Sequence, residues 1–370
     1  MKRLNDSARR VRGQVRWERT KKAVVIASSL TAAATILAVL ASTGVLQFPL
    51  TGPTLSEDYA WIAGLTGADQ LRALGYDGNG VTLCLVDSGI DLLHPDLANA
   101  QLVAWNDLVN RELLPYDDSG HGTAMAGLII GQGNVQGIAP GVSLIVAKAL
   151  RADGTGSSDT IGRAIRYCTD PNGDGNPQEG ADIISLSLGA QKTPFVTNAA
   201  ALAARNATEA GIFVVSSAGN DGLQDDGDVG TPANEPLVIA VGSVDRDLEI
   251  APFSSKGNNS PLQSPPRVDP NRKPEFTLPG VGLFTTTGGA SYTAMTGTSA
   301  SAALLSGMLA LLLQAHPEVN KIGASAVVAT KVALMQTATP YGGQRSPHDD
   351  YYGYGLAKVH QAHLLLAAGG

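Results

Sequence analysis

Four patterns that would identify common protein classes are missing from this sequence. Neither of its 2 cysteines has a metal-ligand spacing with a histidine, so a Cys/His metal motif is excluded. No GxSxG occurs, which argues against an α/β-hydrolase. The glycine-rich stretch at residues 77–83 precedes the first buried strand instead of following it, which excludes a Rossmann dinucleotide site. No internal repeat and no second core is found, so residues 61–370 are predicted to form one domain.

Positive charge is scarce outside the N-terminus. Residues 1–22 contain nine Lys or Arg against Asp6 and Glu18, while the whole chain has a formal charge of -7. The remaining 348 residues therefore carry -14, and such an acidic body excludes nucleic acid as a partner. The hydrophobic content of 44% and the 43 glycines are typical of a globular chain with a buried core and many tight turns.

A long stretch without charge follows this basic tail. We predict a transmembrane signal-anchor helix over residues 23–46, which is about the length needed to cross a bilayer. The cations before it place residues 1–22 in the cytoplasm and the rest of the chain outside. Residues 47–60 are predicted to be a linker. The alternative is a secreted protein released by signal cleavage near Ala41.

Both cysteines lie in apolar surroundings. Cys84 stands in VTLCLV, and Cys168 follows a helical pattern. We predict two inert buried thiols rather than a disulfide, although an exported location would permit a bond.

Apolar strands and helices alternate from Trp61 onward. This pattern predicts a three-layer α/β/α fold with a mostly parallel central sheet. Strands are predicted over 81–87, 143–150, 181–189, 211–219 and 237–244, with helices over 120–131, 158–168 and 194–210 and further helices towards the C-terminus.

Two candidate catalytic residues lie near the first helix. Asp87 ends an apolar strand in LCLVDSGI, where a carboxylate either caps a turn or takes part in chemistry. His121 lies between glycines in DDSGHGTAMAG, at a predicted helix start where it is oriented and accessible. The other histidines, His94, His316, His348, His360 and His363, lack such a setting.

Two further candidates follow later in the chain. Ser299 opens a long apolar helix, where the helix dipole favours developing negative charge. Small residues at a helix crossing would explain the same composition. Asn220 follows a buried strand in VVSSAGNDG, and its amide either binds an oxyanion or serves a turn.

Together these stretches resemble the subtilisin-like serine peptidases, or subtilases, over about residues 60–360. VDSGI resembles the aspartate motif of the family, HGTAMAG the histidine motif and GTSAS the serine motif. Further matches are SLSLG (185–189), SSAGN (216–220), FSSKG (253–257) and KPEFTLPG (273–280).

The resemblance implies a role for each of the four candidates. Ser299 would be the nucleophile, His121 the general base, and Asp87 the carboxylate that orients the imidazole. Asn220 would contribute to an oxyanion hole. No cofactor would be required for the chemistry.

The resemblance also implies a binding cleft for a polypeptide substrate. Its walls would be formed by Ser187, Leu188 and Gly189 on one side and by Ala218, Gly219 and Asn220 on the other. Gly230 would lie at the pocket floor, where a glycine leaves room for a large P1 side chain.

The sequence departs from the family at several points, of which two matter here. Glu275 stands where the family usually has aspartate. The roughly 12 residues between the apolar segment and Trp61 cannot hold the folding prodomain of secreted members, so either the domain folds unaided or it matures by a different route.

Two acidic stretches are candidate Ca²⁺ sites. Asp170, Asn172 and Asp174 alternate before Gly175 like the start of a Ca²⁺ loop, but Ala181 stands where an EF-hand has its bidentate glutamate. A solvated acidic loop is the alternative. The second stretch, Asp225, Asp226 and Asp228, would bind Ca²⁺ or favour basic substrate residues.

The sequence thus predicts a membrane-anchored serine endopeptidase that acts through an acyl-enzyme intermediate. The alternatives are a non-catalytic peptide-binding protein on the same fold and a transpeptidase that uses the same triad.

Overall fold

The computed structural model describes most of the chain after the apolar segment, namely residues 55–189, 198–224, 227–260, 266–344 and 347–369. The predicted basic tail, the predicted transmembrane helix over 23–46 and the cleavage point near Ala41 lie outside the described residues. Helix α1 (Leu55–Thr66) includes the last residues of the predicted linker.

A seven-stranded sheet forms the centre of the described residues, with the strand order β2-β3-β1-β4-β5-β6-β7. All neighbouring strands in it are parallel. The strands are β1 (Thr82–Asp87), β2 (Gln101–Asp107), β3 (Ser143–Lys148), β4 (Ile183–Leu186), β5 (Phe213–Ser217), β6 (Ile239–Val244) and β7 (Phe276–Pro279). A separate antiparallel hairpin consists of β8 (Leu283–Thr287) and β9 (Ser291–Met295).

Helices cover both faces of the sheet, so the predicted three-layer α/β/α class is confirmed. The larger core contains residues of α3 and α6, and the smaller core contains residues of α4 and α5. After α1, the helices are α2 (Ala68–Ala73), α3 (His121–Ile130), α4 (Ser158–Thr169), α5 (Ala199–Glu209), α6 (Thr298–Ala315), α7 (Ala324–Thr337) and α8 (Val359–Gly369).

The long helix α6 is the central helix of the domain. It is apolar and long enough to cross a membrane by length and composition, but 89% of its most apolar window is buried inside the domain. Its apolar residues therefore pack against the sheet and α3, as expected for the core helix of a globular protein.

The five predicted strands and the first three predicted helices are present. Their ends lie at or inside the predicted bounds, except that α4 ends at Thr169, one residue later than predicted. Sequence reasoning missed β2, which is largely exposed or half-buried and therefore lacks a continuous apolar run. It also missed β7 and the β8–β9 hairpin.

The prediction of two free thiols was wrong, because Cys84 and Cys168 form a disulfide. Both residues are fully buried, as expected. Their Cα atoms lie 5.7 Å apart on β1 and α4, within the distance that a disulfide spans. Burial alone does not distinguish a thiol from a disulfide, and the sequence separation of 84 means that no local pattern indicates the contact.

Candidate active site

Asp87 is the last residue of β1, at the carboxyl edge of the parallel sheet. Its side chain is fully buried, and its Oδ1 lies 2.7 Å from Nδ1 of His121. The same oxygen accepts a hydrogen bond of 2.7 Å from the main-chain N–H of Ser88. Among the described residues no group donates to its Oδ2. Oδ1 therefore holds this carboxylate in place, while Oδ2 accepts no hydrogen bond from the described residues.

His121 is the first residue of α3 and follows Gly120, whose φ of 85° is left-handed. The side chain is 26% exposed, so one edge of the imidazole reaches solvent. Nδ1 donates to Asp87 in the neutral ring, which leaves Nε2 without a proton and able to accept one.

The charge of His121 depends on competing effects. Burial lowers its pKa, whereas the charge and the hydrogen bond of Asp87 raise it, and the charge of Asp117 adds to the increase. The net result is a pKa above the ordinary value for histidine. The imidazole is therefore a stronger base than an isolated histidine.

The loop that carries His121 is organised by Asp117, which sequence reasoning missed. Its carboxylate accepts hydrogen bonds from Ser88 Oγ at 2.8 Å, from Gly120 N at 2.8 Å, and from the main chain and hydroxyl of Thr123 at 2.8 and 2.6 Å. Burial raises the pKa of Asp117, but these bonds outweigh it and hold the pKa below its usual range. The only sequence signal was its position in the stretch DDSGHGT.

Ser299 is the second residue of α6 and is 8% exposed. Its Oγ donates to the main-chain oxygen of Ser187 at 3.0 Å, and Ser187 Oγ donates in return to the carbonyl of Ser299 at 3.1 Å. The hydroxyl thus points to Ser187 rather than to His121 in this structure. Apo geometry of this kind often tightens only when substrate binds.

Asn220 follows β5 and is fixed by the start of α6. Its Oδ1 accepts from the main chain of Thr298 at 3.0 Å and from the Thr298 hydroxyl at 2.9 Å. Since the oxygen is occupied by α6, the Nδ2 group is the free end of the amide. A Cβ at Gly297 would lie 3.4 Å from Asn220 Nδ2 and 3.8 Å from the main-chain nitrogen of Ser299, so the missing side chain keeps open the space between two donors.

A cavity of about 650 Å³ joins these residues. His121, Ser299 and Asn220 line it together with the predicted wall residues Ser187, Leu188, Gly189 and Gly219 and with the predicted floor residue Gly230. Ala218 is buried behind the wall, where its carbonyl accepts from Gly230 N at 2.8 Å. It therefore positions the wall and the floor relative to each other.

The candidate Ca²⁺ loop is exposed and hydrogen-bonded within itself. Asp170 accepts from the main chain of Gly173 and Gly175 at 2.8 Å each. Carboxylate oxygens of Asp170, Asp174 and Glu179 lie within 4.8 Å of one another. Glu179, two residues before Ala181, is the acidic group that sequence reasoning missed.

The second acidic stretch is described only in part, because Asp225 and Asp226 lie outside the described residues. Asp228 forms a two-point ion pair with Arg267, with distances of 2.6 and 2.9 Å. Its charge is therefore already compensated, which argues against the predicted role in binding Ca²⁺ or basic substrate residues.

The sequence of this chain is similar to those of known proteins. The model of the subtilase family matches residues 78–355. Subtilisin DY from Bacillus licheniformis is 34% identical over 302 residues, which is 80% of this chain and 96% of that protein. Subtilisin E from Bacillus subtilis (strain 168) is 34% identical over 80% of this chain and 68% of its own length. Serine protease AprX, also from Bacillus subtilis (strain 168), is 34% identical over 66% of this chain and 59% of its own length.

Proposed function

We propose that this chain, which belongs to the subtilase family of serine endopeptidases, hydrolyses peptide bonds with Asp87, His121 and Ser299 as its catalytic triad. The observation that carries the proposal is the Asp87–His121 contact of 2.7 Å at the rim of a cavity that Ser299 also lines. Three separate elements, β1, α3 and α6, supply these residues.

In this mechanism Ser299 Oγ attacks the carbonyl carbon of the scissile bond while His121 Nε2 takes the hydroxyl proton. The C–N bond then breaks, and the imidazolium returns the proton to the leaving amine. Water attacks the resulting ester with His121 again as base, which releases the second product and the free serine. For the first step the Ser299 hydroxyl must leave the Ser187 carbonyl and turn to the imidazole.

The negative oxygen that forms during attack needs donors fixed before the reaction. The Nδ2 group of Asn220 and the main-chain N–H of Ser299 supply them, on either side of the space that Gly297 leaves open. The two bonds from Thr298 to Asn220 Oδ1 prevent the amide from turning its oxygen towards the developing charge. The start of α6 adds the positive end of the helix dipole.

The substrate is an extended polypeptide that lies between the two walls of the cavity. Ser187, Leu188 and Gly189 form one wall, and Gly219 and Asn220 form the other. Main-chain groups at such walls pair with a substrate strand. Gly230 leaves space for a large P1 side chain.

The N-terminal segment gives the expected location. Residues 23–46 anchor the chain in the cell membrane as a single span, with residues 1–22 in the cytoplasm and the catalytic domain outside. The uninterrupted apolar run after a basic tail supports this assignment. Cell fractionation tests it: the protein should be found in the membrane fraction, whereas a protein cleaved near Ala41 would be found in the medium.

Calcium is a structural rather than a chemical part of the proposal. Asp170, Asn172, Asp174 and Glu179 supply only oxygen donors, which suits Ca²⁺. Their oxygens also serve the turns of the loop, so the ion would stabilise the connection between α4 and β4 and take no part in the reaction.

The test is fluorophosphonate labelling of the full-length chain beside Ser299→Ala, with digestion of a peptide library in Ca²⁺ and in chelator. Ser299→Ala should lose the label and about 10⁶ in kcat, the loss that removal of the nucleophile causes in subtilisin. The matched control is Ser301→Ala on the same helix. Ser301 is also buried, and its Oγ donates to the carbonyl of Leu278 at 3.0 Å.

The outcomes separate the candidate functions. Label on the parent and on Ser301→Ala but not on Ser299→Ala, together with cleaved peptides, supports the proposal. A folded parent that takes no label indicates the non-catalytic peptide-binding protein. Label with joined peptides as the main product indicates the transpeptidase.

A further inference from the structure

Three of the six histidines lie together, away from the candidate active site. His316 directly follows the end of α6, and His360 and His363 lie on α8, one helical turn apart. Ser299 and His316 flank nearly the whole of α6, so they are roughly 25 Å apart at 1.5 Å per residue. The cluster therefore takes no part in the proposed chemistry.

The imidazoles of His316 and His363 are within hydrogen-bonding distance of each other. Nε2 of His316 lies 2.9 Å from Nδ1 of His363, and the ring centroids are 4.9 Å apart. The third ring, His360, stacks beside His363 at a centroid distance of 6.2 Å. Residues three apart on a helix project from the same face, so His360 and His363 lie on the same side of α8.

A carboxylate orients the buried member of the cluster. Nδ1 of His316 lies 2.8 Å from Oε1 of Glu318, and the His316 side chain is only 6% exposed. In a metal-ligating histidine, the ring nitrogen that does not bind the metal usually donates to a carboxylate. The carboxylate fixes the orientation of the ring and increases its basicity. Here that arrangement aims Nε2 of His316 at His363.

We propose that His316 and His363, with His360 as third ligand, bind a divalent transition-metal ion of the zinc class. Two nitrogens on tetrahedral Zn²⁺ are about 3.3 Å apart, given Zn–N distances of about 2.0 to 2.1 Å. The observed 2.9 Å requires the pair to open by about 0.4 Å and both rings to turn, so that the two nitrogens point at the ion instead of at each other. Among the described residues only the acidic loop has three such ligand atoms within 4.8 Å of one another, so His360 must change its side-chain rotamer to become the third ligand, and water fills the remaining position.

Two of the three histidines lie outside the part of the chain that the family model matches. The matched region ends at residue 355, so His360 and His363 lie beyond it. A bound ion would fasten α8 to the end of α6. The expected consequence is a more stable C-terminal helix and an unchanged reaction.

The experiment is a Zn²⁺ titration of the full-length Ser299→Ala chain, which cannot digest itself. Calorimetry should show one ion per chain, and saturating Zn²⁺ should raise Tm by roughly 3 to 6 °C. His363→Asn should abolish this site. Glu318→Gln should weaken it 10-fold to 100-fold through the lost support of His316, and its side chain is 65% exposed, so the variant should fold normally.

His121→Gln is the matched control, because the candidate catalytic imidazole is another possible Zn²⁺ ligand. The proposal requires that His121→Gln keep one bound ion and the rise in Tm. It is overturned if folded His363→Asn binds Zn²⁺ like the parent, if Glu318→Gln has unchanged affinity, or if the parent binds none. In the last case the His316–His363 contact is only a hydrogen bond.

Discussion

Two fully buried carboxylates of this molecule, Asp87 and Glu275, are partnered in opposite ways. Asp87 ends β1, and its Oδ1 meets His121 and Ser88 while its Oδ2 has no partner among the described residues. Glu275 directly precedes β7. Its Oε1 accepts from the ammonium groups of Lys273 and Lys331 at 2.8 and 2.7 Å, and its Oε2 accepts from the main chain of Ala240 at 2.8 Å.

The difference fits the chemical role that we propose for Asp87 and a structural role for Glu275. Asp87 contacts one titratable ring that borders a cavity, so its charge acts on a group that gains and loses a proton. Glu275 contacts two lysines whose side chains are fully buried, and its charge is used to keep them inside the protein. Equal burial therefore does not mean equal function.

Burial shifts the pKa of both lysines that contact Glu275. Burial lowers the pKa of Lys273 to about 7, although the charge of Glu275 raises it, and Lys331 adds to the lowering. The pKa of Lys331 is lowered by burial as well, against the same opposing effect of Glu275. The charge of Glu275 thus raises the pKa of both lysines against the effect of burial.

Between the two carboxylates, the larger expected effect on activity comes from Asp87→Asn, which keeps the shape of the side chain and removes its charge. The variant should lose about 10⁴ in kcat, because the imidazole is no longer held in the right tautomer or stabilised when protonated. The free energy of unfolding should change by less than about 2 kcal/mol, since the lost charge was buried with one oxygen unpartnered. Steady-state kinetics and urea unfolding check the two values.

This prediction fails if Asp87→Asn retains more than about a tenth of the parent kcat. It also fails if the variant does not fold, because Asp87 would then be structural in the way that we assign to Glu275.

Glu275→Gln should have the reverse effect. Removing this charge leaves two buried ammonium groups without a counter-charge, and such a loss costs about 3 to 5 kcal/mol of unfolding free energy. The kcat of the folded fraction should stay within a few-fold of the parent, because Glu275 contacts no group of the candidate active site. Urea unfolding at pH 6, below the pKa of about 7 for Lys273, combined with active-site titration checks both parts.

Lys331→Met is the matched variant for this comparison. It leaves Lys273 and Glu275 as a balanced pair of opposite charges, so it should cost less stability than Glu275→Gln. An equal or larger loss would mean that the other bonds of Lys331, to the carbonyl of Pro236 and to Asn271, stabilise this region more than charge balance does.

The sequence predicts the region of Asp87 better than that of Glu275 for a physical reason. Asp87, His121, Asn220 and Ser299 each stand at the end of an apolar element, where a short local pattern reveals them. Charged residues are almost always exposed, so nothing in the sequence indicates that Lys331 reaches Glu275 from 56 residues away.

Contacts between distant parts of the chain were missed for the same reason. The Cys84–Cys168 bond joins two apolar stretches, and either cysteine alone looks like a buried thiol. The contact between His316 and His363 spans 47 residues and depends on how α6 and α8 pack. Local sequence patterns thus predict strands, helices and motif residues. They do not predict which distant side chains come into contact, because this depends on how the helices and strands pack.

The smallest expected effect is a shift in the pH dependence of the reaction. The general base must be neutral, so kcat/KM should rise with pH through a pKa above the ordinary histidine value of about 6.5, because Asp87 raises the pKa of His121 against the effect of burial. In Asp87→Asn burial remains and the opposing charge is gone, so the residual activity should rise at lower pH than in the parent.

Stability should move in the opposite direction to activity over the same pH range. A histidine whose pKa is raised by folding stabilises the protein fully below its unfolded pKa, and this contribution is lost as the pH rises through the folded pKa. In Ser299→Ala, the His121 contribution should therefore disappear as the parent gains activity. We expect Ser299→Ala/Asp87→Asn to lack this decline in urea unfolding between pH 5 and 8. If the free energy of unfolding falls equally in both variants, the charge of Asp87 does not control the pKa of His121. Asp87 would then be a structural carboxylate like Glu275.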